Sequence, residues 1–379
     1  MLSKEKIKVA IITNVIANYR ADFYRRIIDD ESVDITIFCQ PSIKGMNLKT
    51  VHDQFSKNVQ IVKSCGLAKE KIAWQFLPLC RLYNSFDVLI FYGNPRVLSN
   101  VVYSVLFKLL GKKIIIWGQA HTAGASPGLE KIRLAWWRLF DYLFLYTDKE
   151  IDYLKTKGFK TKRILGMNNG LDQEEIERVK LQWSLPRLDE WRRQQGLEFK
   201  TLILSCARLD SKNQFELMVP VLKELCKTHK EILWCVIGQG EREQFLKETI
   251  SREKLDKYVL WLGSIYDENQ LAPWFLSSRV LIHPGAIGLS LLHAFGYGLP
   301  VITHGDIENQ MPEIAAFENE INGLAFESGS HVSMLSIIEN NLFNESKLAA
   351  LSSNAYITAK TKYNTKVMAN RFIEISKNT

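Results

Sequence analysis

The sequence of 379 residues predicts an α/β protein built from two doubly wound parallel sheets, one in each half of the chain. Short β-branched runs alternate with segments of helical spacing in both halves, a pattern typical of right-handed β-α-β units. A polar stretch that lacks a strand pattern separates the two series. The length also favours two cores over one.

The first half begins with five runs that predict buried parallel strands, at 7–14, 33–39, 87–93, 112–119 and 142–147. Three of the segments that separate these runs have helical spacing. An Asn-Gly turn in NNGLD (168–172) then ends the series, because this dipeptide readily accepts a positive φ. We predict an N-terminal Rossmann-like domain over residues 1–172.

The second half repeats the alternation after a polar, helix-like connector at 173–198 that Pro186 interrupts. Its predicted strands are KTLILSCARL, ILWCVIGQG, YVLWLGSI, SRVLIHPG and LPVITHG, which give a second Rossmann-like domain over 199–355. The stretch from Ser346 to Ile375 is predicted to be helical, and residues 356–379 are expected to cross back to the first domain. Two such domains would face a cleft, with ligands beyond the carboxyl ends of the strands.

Composition restricts the class of protein. The six cysteines are scattered without a Cys-x-x-Cys pair, so a structural zinc site and a disulfide framework are not expected. Residues 1–180 hold 28 lysines and arginines against 18 acidic residues, whereas the remainder holds 21 against 23. The basic half could meet nucleic acid, anionic lipid or a phosphorylated substrate, or could carry solvated lysines only.

Targeting signals are weak in this sequence. The N-terminal residues lack the apolar core of a signal peptide, and no segment has the roughly 18 apolar residues that a transmembrane helix needs. The segments 97–113 and 132–144 are the most lipid-like, and burial is the favoured interpretation of both. Peripheral attachment at a membrane interface stays open.

The most informative stretch is HPGAIGLSLLHAFGYGLPVITHGD, at 283–306. A strand ends at its start, and a helix begins near Gly288, Leu289 and Ser290. Glycines there let the backbone approach a phosphate, whose charge suits the free N–H groups of a helix N-terminus. The helix should stop at Gly298. A glycine-rich packing corner is the competing interpretation.

Two cations follow the first strand of the second half. Arg208 and Lys212, in SCARLDSKN, lie where that strand should end at the cleft, and could neutralise a diphosphate that gains charge during bond cleavage. Solvated side chains in a polar loop are the alternative. The Gly-x-Gly of IGQGER (237–242) is adequately explained as a tight turn.

In the first half, His121 follows a predicted strand end, where an imidazole could contact a sugar hydroxyl or act as a base. A lone histidine at such a position is usually structural. Arg20 and Asp22, in NVIANYRAD after the first strand, are expected to face the same cleft.

Taken together, these segments resemble the family 4 glycosyltransferases, which have the GT-B fold. NNGLD is similar to their Asn-Gly-Ile-Asp turn, and ARLDSKN to their Gly-Arg-Leu…Glu-Lys-Gly segment. The resemblance is strong over about residues 160–330 and weaker over the first 150. NVIANYRADFY, which contains Asn18, Arg20 and Asp22, looks like the Asn…Tyr-Arg start of some members, in which this domain takes the acceptor.

The resemblance implies roles for individual residues. Arg208 and Lys212 would bind the donor diphosphate, His121 would lie near the donor sugar, and Ile265 would lie near the nucleobase. Backbone N–H groups of three consecutive residues would also bind the diphosphate: Gly288, Leu289 and Ser290. Such enzymes generally need no metal or other cofactor, and the chain has no Asp-x-Asp motif.

The chain departs from the family pattern at two glutamates. Those positions hold Gly285 and His293. A histidine can still hold ribose hydroxyls, whereas the glycine removes a carboxylate from the donor-sugar side. Glu308 or Glu313 could supply a carboxylate instead.

The predicted function is therefore transfer of a sugar from a nucleotide-sugar donor to an acceptor hydroxyl. The expected acceptor is a lipid-linked or growing surface-polysaccharide glycan. A GT-B-fold sugar-nucleotide epimerase and a non-catalytic nucleotide-binding member are the alternatives. Nucleic acid is not expected as a partner, and the expected location is the cytoplasm, including the inner face of the plasma membrane.

Overall fold

The computed structural model describes residues 6–43, 50–67, 72–120 and 127–378. The chain divides into two compact units. Unit 1 takes the described residues up to Asp172 together with those from Thr365 onward, and unit 2 is Gln173–Asn364.

Unit 1 is a parallel α/β sheet with flanking helices. Its strands are β1 (Ile7–Ile12), β2 (Val33–Cys39), β3 (Val59–Ile61), β4 (Ser64–Leu67), β5 (Ile72–Gln75), β6 (Val88–Tyr92), β7 (Lys113–Gly118), β8 (Tyr142–Leu145) and β9 (Ile164–Gly166). Its first helices are α1 (Ala21–Ile28), α2 (Leu79–Ser85), α3 (Leu98–Leu109), α4 (Pro127–Trp137) and α5 (Lys149–Thr156). The sheet order is β3-β2-β1-β6-β7-β8-β9, while β4 and β5 form a separate antiparallel pair.

Unit 2 has the same architecture. Its strands are β10 (Thr201–Cys206), β11 (Ile232–Ile237), β12 (Val259–Gly263), β13 (Ser278–His283), β14 (Val301–His304) and β15 (Gly323–Phe326). Its helices are α6 (Gln173–Lys180), α7 (Leu185–Gln194), α8 (Met218–Thr228), α9 (Glu243–Arg252), α10 (Glu268–Ser277), α11 (Leu289–Tyr297), α12 (His331–Asn341) and α13 (Glu345–Lys362). The order β12-β11-β10-β13-β14-β15 is parallel throughout.

Both sheets contain a topological switch point, where the chain first builds strands to one side and then returns to build the other. In unit 1 this point lies between β1 and β6, and in unit 2 between β10 and β13. Their central strands are apolar and almost completely buried, which is why helices cover both faces. Ligands of open α/β sheets bind beyond the carboxyl ends of the strands at such points.

The segment predicted as a connector contains α6 and α7, which pack within unit 2. The Gln173 amide donates to the carbonyl of Leu292, and the Trp191 ring meets Trp274 edge to face at 4.8 Å. Ser184 caps α7 by accepting from the N–H of Arg187.

The sequence pattern predicted one helical stretch at the C-terminus, but the structure has two helices there. Helix α13 ends at Lys362, and α14 (Thr365–Asn378) begins three residues later. Tyr363 leaves helical dihedrals, with φ −116° and ψ 57°, and the N–H of Thr365 donates to the carbonyl of Leu171. Helix α14 then packs in unit 1, where Phe372 meets Phe23 edge to face at 5.7 Å.

No helix among the described residues is long and apolar enough to cross a membrane.

Candidate active site

Unit 2 brings two loops together at its switch point. The first follows β10 and contains Arg208 and Lys212. The second follows β13 and runs through Gly285 to Gly288, at the start of α11. The sequence placed its candidate diphosphate ligands on these two segments, and the parallel pairing of β10 with β13 explains why their loops are neighbours.

The two loops touch through their backbones. A Cβ added at Gly285 would lie 2.1 Å from the carbonyl oxygen of Lys212, so glycine is sterically required there. The N–H of Ala286 donates to the same oxygen at 3.2 Å. A side chain as large as glutamate at position 285 would not fit this arrangement.

The loop after β10 is equally constrained on its other side. A Cβ at Gly238 would lie 1.9 Å from the carbonyl oxygen of Ala207, and one at Gly240 would lie 2.2 Å from that of Leu209. The N–H of Leu209 donates to the carbonyl of Gln239 at 3.0 Å. The Gly-x-Gly is thus more than a turn. Its two glycines leave room for the backbone carbonyls of Ala207 and Leu209, the residues on either side of Arg208.

Arg208 and Lys212 project from this fixed backbone, and both side chains are exposed. The Lys212 ammonium lies 3.9 Å from the carboxylate of Asp210, and its side chain is 59% exposed. Exposed pairs at that distance contribute little to stability. These two cations are therefore positioned where an incoming anion can reach them.

A buried histidine, His283, stabilises the loop after β10 through Asn213. His283 Nε2 lies 3.1 Å from Asn213 Oδ1, and the Asn213 amide donates to the carbonyl of Arg208. Because the Asn213 oxygen must then accept, Nε2 carries the imidazole proton. Burial lowers the pKa of His283 to about 3, so the ring is neutral at physiological pH.

The N-terminus of α11 is held by one buried glutamine. Gln310 accepts from the N–H of Ile287 at 2.7 Å, and its amide donates to Thr303 Oγ1 and to the carbonyl of His304. Gly288 precedes the first helical residue. A Cβ added at Gly288 would lie 3.8 Å from Oε2 of Glu313, so this carboxylate is close to the start of the helix. The first N–H groups of a nine-residue helix lie here.

A carboxylate stands beside His293. Glu268 Oε1 lies 2.8 Å from His293 Nε2 and accepts a hydrogen bond of 2.5 Å from the Tyr297 hydroxyl. Burial raises the pKa of Glu268, but the charge and hydrogen bonds of its two partners outweigh burial and lower it overall. Burial raises the pKa of Cys206, the last residue of β10, to about 12, and the negative charge of Glu268 adds to this effect.

Ile265 follows β12 and is partly exposed. Beside it, the N–H of Gly238 donates to the carbonyl of Gly263, and the Ser264 hydroxyl lies 3.3 Å from Gln239 Oε1. Ile265 thus lies at the same edge of the sheet as the other donor candidates.

Unit 1 contains a pocket of about 900 Å³ at its own switch point. The carboxyl ends of β1, β6, β7 and β8 surround it with aromatic and polar side chains: Asn14, Tyr19, Arg20, Tyr24, Tyr92, Asn94, Arg96, Trp117 and Tyr146. Burial raises the pKa of Tyr24 and of Tyr92, so both hydroxyls keep their protons at neutral pH.

Of the acceptor candidates in the sequence, Arg20 lines this pocket, whereas Asn18 and Asp22 are outside its lining. Asp22 pairs with Arg26, and it accepts a hydrogen bond from Thr365. Its carboxylate thus joins α1 to α14. His121, the sugar-side candidate, lies outside the described residues.

Comparison with known proteins gives three results. Residues 188–358 match the model of the family described as glycosyl transferases group 1. A curated relative from Streptococcus agalactiae, the GtfA subunit of UDP-N-acetylglucosamine–peptide N-acetylglucosaminyltransferase, is 23% identical over 218 residues. That region is 55% of this chain and 40% of the relative.

Solved structures agree on the fold. The Anabaena protein HepE, crystallised with UDP, superposes with a TM-score of 0.73 over 99% of this chain and 100% of its own, at 14% identity. A glycosyltransferase from Rickettsia africae gives 0.74 over 99% of each chain, at 13% identity. The fold is GT-B, as the sequence predicted.

Residues 188–358 therefore resemble the glycosyl transferases group 1 family. The matched segment contains the donor candidates from Arg208 to Glu313, whereas His121 precedes it. Within the described residues, no group of three or more His, Cys, Asp or Glu side chains could hold a metal ion.

Three contributors to the candidate site in unit 2 escaped sequence reasoning. Glu268, Asn213 and Gln310 have polar side chains that act through neighbours distant in the sequence. Asp267 caps α10 by accepting from the N–H of Asn269, yet nothing in the sequence paired Glu268 with His293. The aromatic residues of the unit 1 pocket were missed for the same reason, because they come from segments far apart in the sequence.

Proposed function

We propose that this protein is a glycosyltransferase that moves a sugar from a nucleotide-sugar donor to an acceptor hydroxyl. The observation that carries the proposal is the backbone contact at Gly285, which fixes the Arg208–Lys212 loop beside the N-terminus of α11. Fixed cations and a helix N-terminus form a binding site for an anion such as a diphosphate. The UDP complexes of structural relatives such as HepE support a uridine nucleotide as the donor.

In the proposed reaction, the bond between the anomeric carbon and the donor's diphosphate oxygen breaks. The acceptor oxygen forms the new bond to that carbon, and its hydroxyl proton passes to the departing diphosphate or to water. The departing diphosphate gains negative charge, which Arg208, Lys212 and the amides of Gly288–Ser290 stabilise. Each such contact is worth roughly 2.7–4 kcal/mol in the transition state, by analogy with oxyanion donors. His121 is proposed to contact the donor sugar.

The missing glutamates receive substitutes in this proposal. His293, hydrogen-bonded to Glu268, takes the ribose hydroxyls, with the carboxylate of Glu268 orienting the imidazole. Glu313, buried close to Gly288, is the proposed carboxylate of the donor-sugar side. Glu308 is exposed. Ile265 packs against the nucleobase, and the reaction proceeds without a metal.

The test is a thermal-shift screen of the protein against UDP-, GDP-, dTDP- and CDP-sugars with EDTA present. We expect stabilisation by the UDP-sugars, lost in Arg208→Ala and kept in Lys227→Ala, which removes an exposed cation elsewhere in unit 2. Stabilisation that needs added divalent metal would contradict metal independence. Stabilisation without sugar transfer to any acceptor would favour a non-catalytic nucleotide-binding protein.

The acceptor is proposed to be a glycan on a membrane-borne carrier. Trp136, on α4, donates to Ser104 on α3, so these helices are in contact. Six apolar side chains are exposed on α3 and on the residue that follows it: Leu98, Val102, Val105, Leu106, Leu109 and Leu110. Two more, Leu129 and Ile132, are exposed on α4. Lys113 and Lys131 are exposed in the same segments. Such a surface fits the interface of an anionic bilayer.

Co-sedimentation with phosphatidylglycerol vesicles tests this surface. The double variant Leu109→Glu/Ile132→Glu should lose vesicle binding, because two carboxylates then replace side chains that are 81% and 69% exposed. The matched control is Leu181→Glu/Leu185→Glu, in which the replaced leucines are 77% and 78% exposed in unit 2. Equal binding by both double variants would refute the assigned surface.

A further inference from the structure

Two buried polar atoms in the unit 1 pocket lack a hydrogen-bond partner among the described residues. Trp117 is only 8% exposed, and its indole Nε1–H donates to no described group. The side-chain oxygen of Asn14 is also buried without a donor. Leaving a buried polar group unpaired costs free energy, so such groups commonly mark a place that a ligand fills. Here one donor and one acceptor line the same pocket.

Arg20 adds a charge to this pocket. Its guanidinium donates to Asn169 Oδ1 at 2.9 Å and contacts the sulfur of Met368 at 3.6 Å. The Cζ atom lies 5.2 Å from the Trp117 ring centroid. Within the described residues Arg20 forms no ion pair, and its strongest electrostatic neighbours are tyrosines. A partly buried cation without a counter-ion attracts an anion, and a guanidinium has five donors to offer one.

The second guanidinium indicates which kind of anion fits. Arg96 lines the same pocket from the loop after β6. Two guanidinium groups match the charge of a phosphate better than that of a single carboxylate, and their planar donors suit its oxygens. Beside them, the protonated hydroxyls of Tyr24 and Tyr92 can donate to sugar hydroxyls. Aromatic walls with a few placed polar groups are typical of pockets for small organic ligands.

We propose that the unit 1 pocket binds a phosphate group attached to a sugar, with Arg20 and Arg96 on the phosphate and Trp117 Nε1–H on one of its oxygens. This inference rests on the proposed function, since it names the acceptor class: a sugar phosphate, either free or joined to a lipid. The sugar contacts Tyr24, Tyr92 and the oxygen of Asn14.

The test follows the indole N–H signal of Trp117 by ¹H–¹⁵N NMR, assigned with Trp117→Phe. The probes are glucose 1-phosphate, methyl glucoside (a sugar without phosphate) and octyl phosphate (a phosphate without sugar). We expect glucose 1-phosphate to shift the signal most strongly and methyl glucoside not to shift it. A larger response to octyl glucosyl phosphate than to glucose 1-phosphate would assign the phosphate to a lipid carrier, and the reverse to a free sugar phosphate.

Two variants make the outcome specific. Arg20→Gln should weaken binding of glucose 1-phosphate roughly 10- to 100-fold, as expected for losing charge-assisted hydrogen bonds. Arg96→Gln, at an exposed position, should weaken it with the fold intact. An equal shift with methyl glucoside, a shift with octyl phosphate only, or no shift with glucose 1-phosphate would overturn the proposal. UDP-induced stabilisation, measured on the same samples, reports separately on the donor site in unit 2.

Discussion

The carbonyl oxygen of Lys212 occupies the space that a side chain at residue 285 would need. A Cβ there would be 2.1 Å from that oxygen and 2.7 Å from two backbone atoms of Asn213. The contact joins the loop after β10 to the loop after β13. Position 285 is therefore used in this chain to bring two backbones together.

Gly285→Ala should accordingly displace the Lys212 loop and destabilise the protein by about 1–3 kcal/mol, as overpacking does in a tight interior. Gly285→Glu should be worse, because a larger side chain needs more of the same space. The measurement is chemical denaturation together with UDP-dependent thermal shift. Gly305→Ala is the control, because an added Cβ there meets Ala325 at an ordinary 3.5 Å. Equal stability of the two alanine variants would refute the contact's importance.

Arg208→Ala should lower turnover by about 10²–10³, because one positioned donor to a developing anion is lost. Lys212→Ala should lower it in the same direction. Steady-state kinetics with a labelled UDP-sugar would measure both, with Lys227→Ala as the control cation. A loss below about threefold in Arg208→Ala would argue against its assigned contact with the diphosphate.

The pair formed by Glu268 and His293 should matter for nucleotide affinity. Glu268→Gln removes the charge that pairs with the imidazole but keeps a hydrogen-bonding oxygen, and we expect UDP affinity to fall by about tenfold. His293→Glu should be more harmful, because it would set two carboxylates side by side. Titration calorimetry with UDP would check both. Glu248→Gln, on the surface of α9, is the matched control and should bind normally.

The stability of the protein should decrease on acidification because of His283. Its pKa is about 3 in the folded state, against an ordinary value of 6.5, so between these values only the unfolded chain takes up the proton. Stability is therefore retained above pH 6.5 and lost as the pH falls towards 3, by up to about 1.4 kcal/mol per pH unit from this group.

Comparing urea denaturation of the wild type and His283→Gln from pH 7 to pH 4.5 would test this. The variant should be less stable at pH 7, since its packing with Asn213 is altered, but should lose less stability on acidification. His331→Gln, an exposed position, should follow the wild type. A constant difference between wild type and His283→Gln at every pH would contradict the expectation.

Sequence reasoning was most reliable where one local pattern decides the structure. Continuous apolar runs identified the strands at both switch points, and Gly298 ends α11 in the left-handed region, at φ 72°. Sequence reasoning failed where a structure depends on contacts between residues that are distant along the chain. The break after Lys362 has no proline or glycine to signal it, and Glu268 lies 25 residues from His293. Steric demands such as that at Gly285 become visible only when two loops are placed together.

The return of α14 to unit 1 has a consequence for synthesis on the ribosome. Phe372 and Met368 belong to the core of unit 1, but they are translated after all of unit 2. At about 5–20 residues per second, the 192 residues of Gln173–Asn364 delay them by roughly 10–40 s. Unit 2 is continuous in sequence and can fold as soon as it emerges. The nascent chain therefore completes its second unit first, and the first unit must wait with part of its apolar surface uncovered.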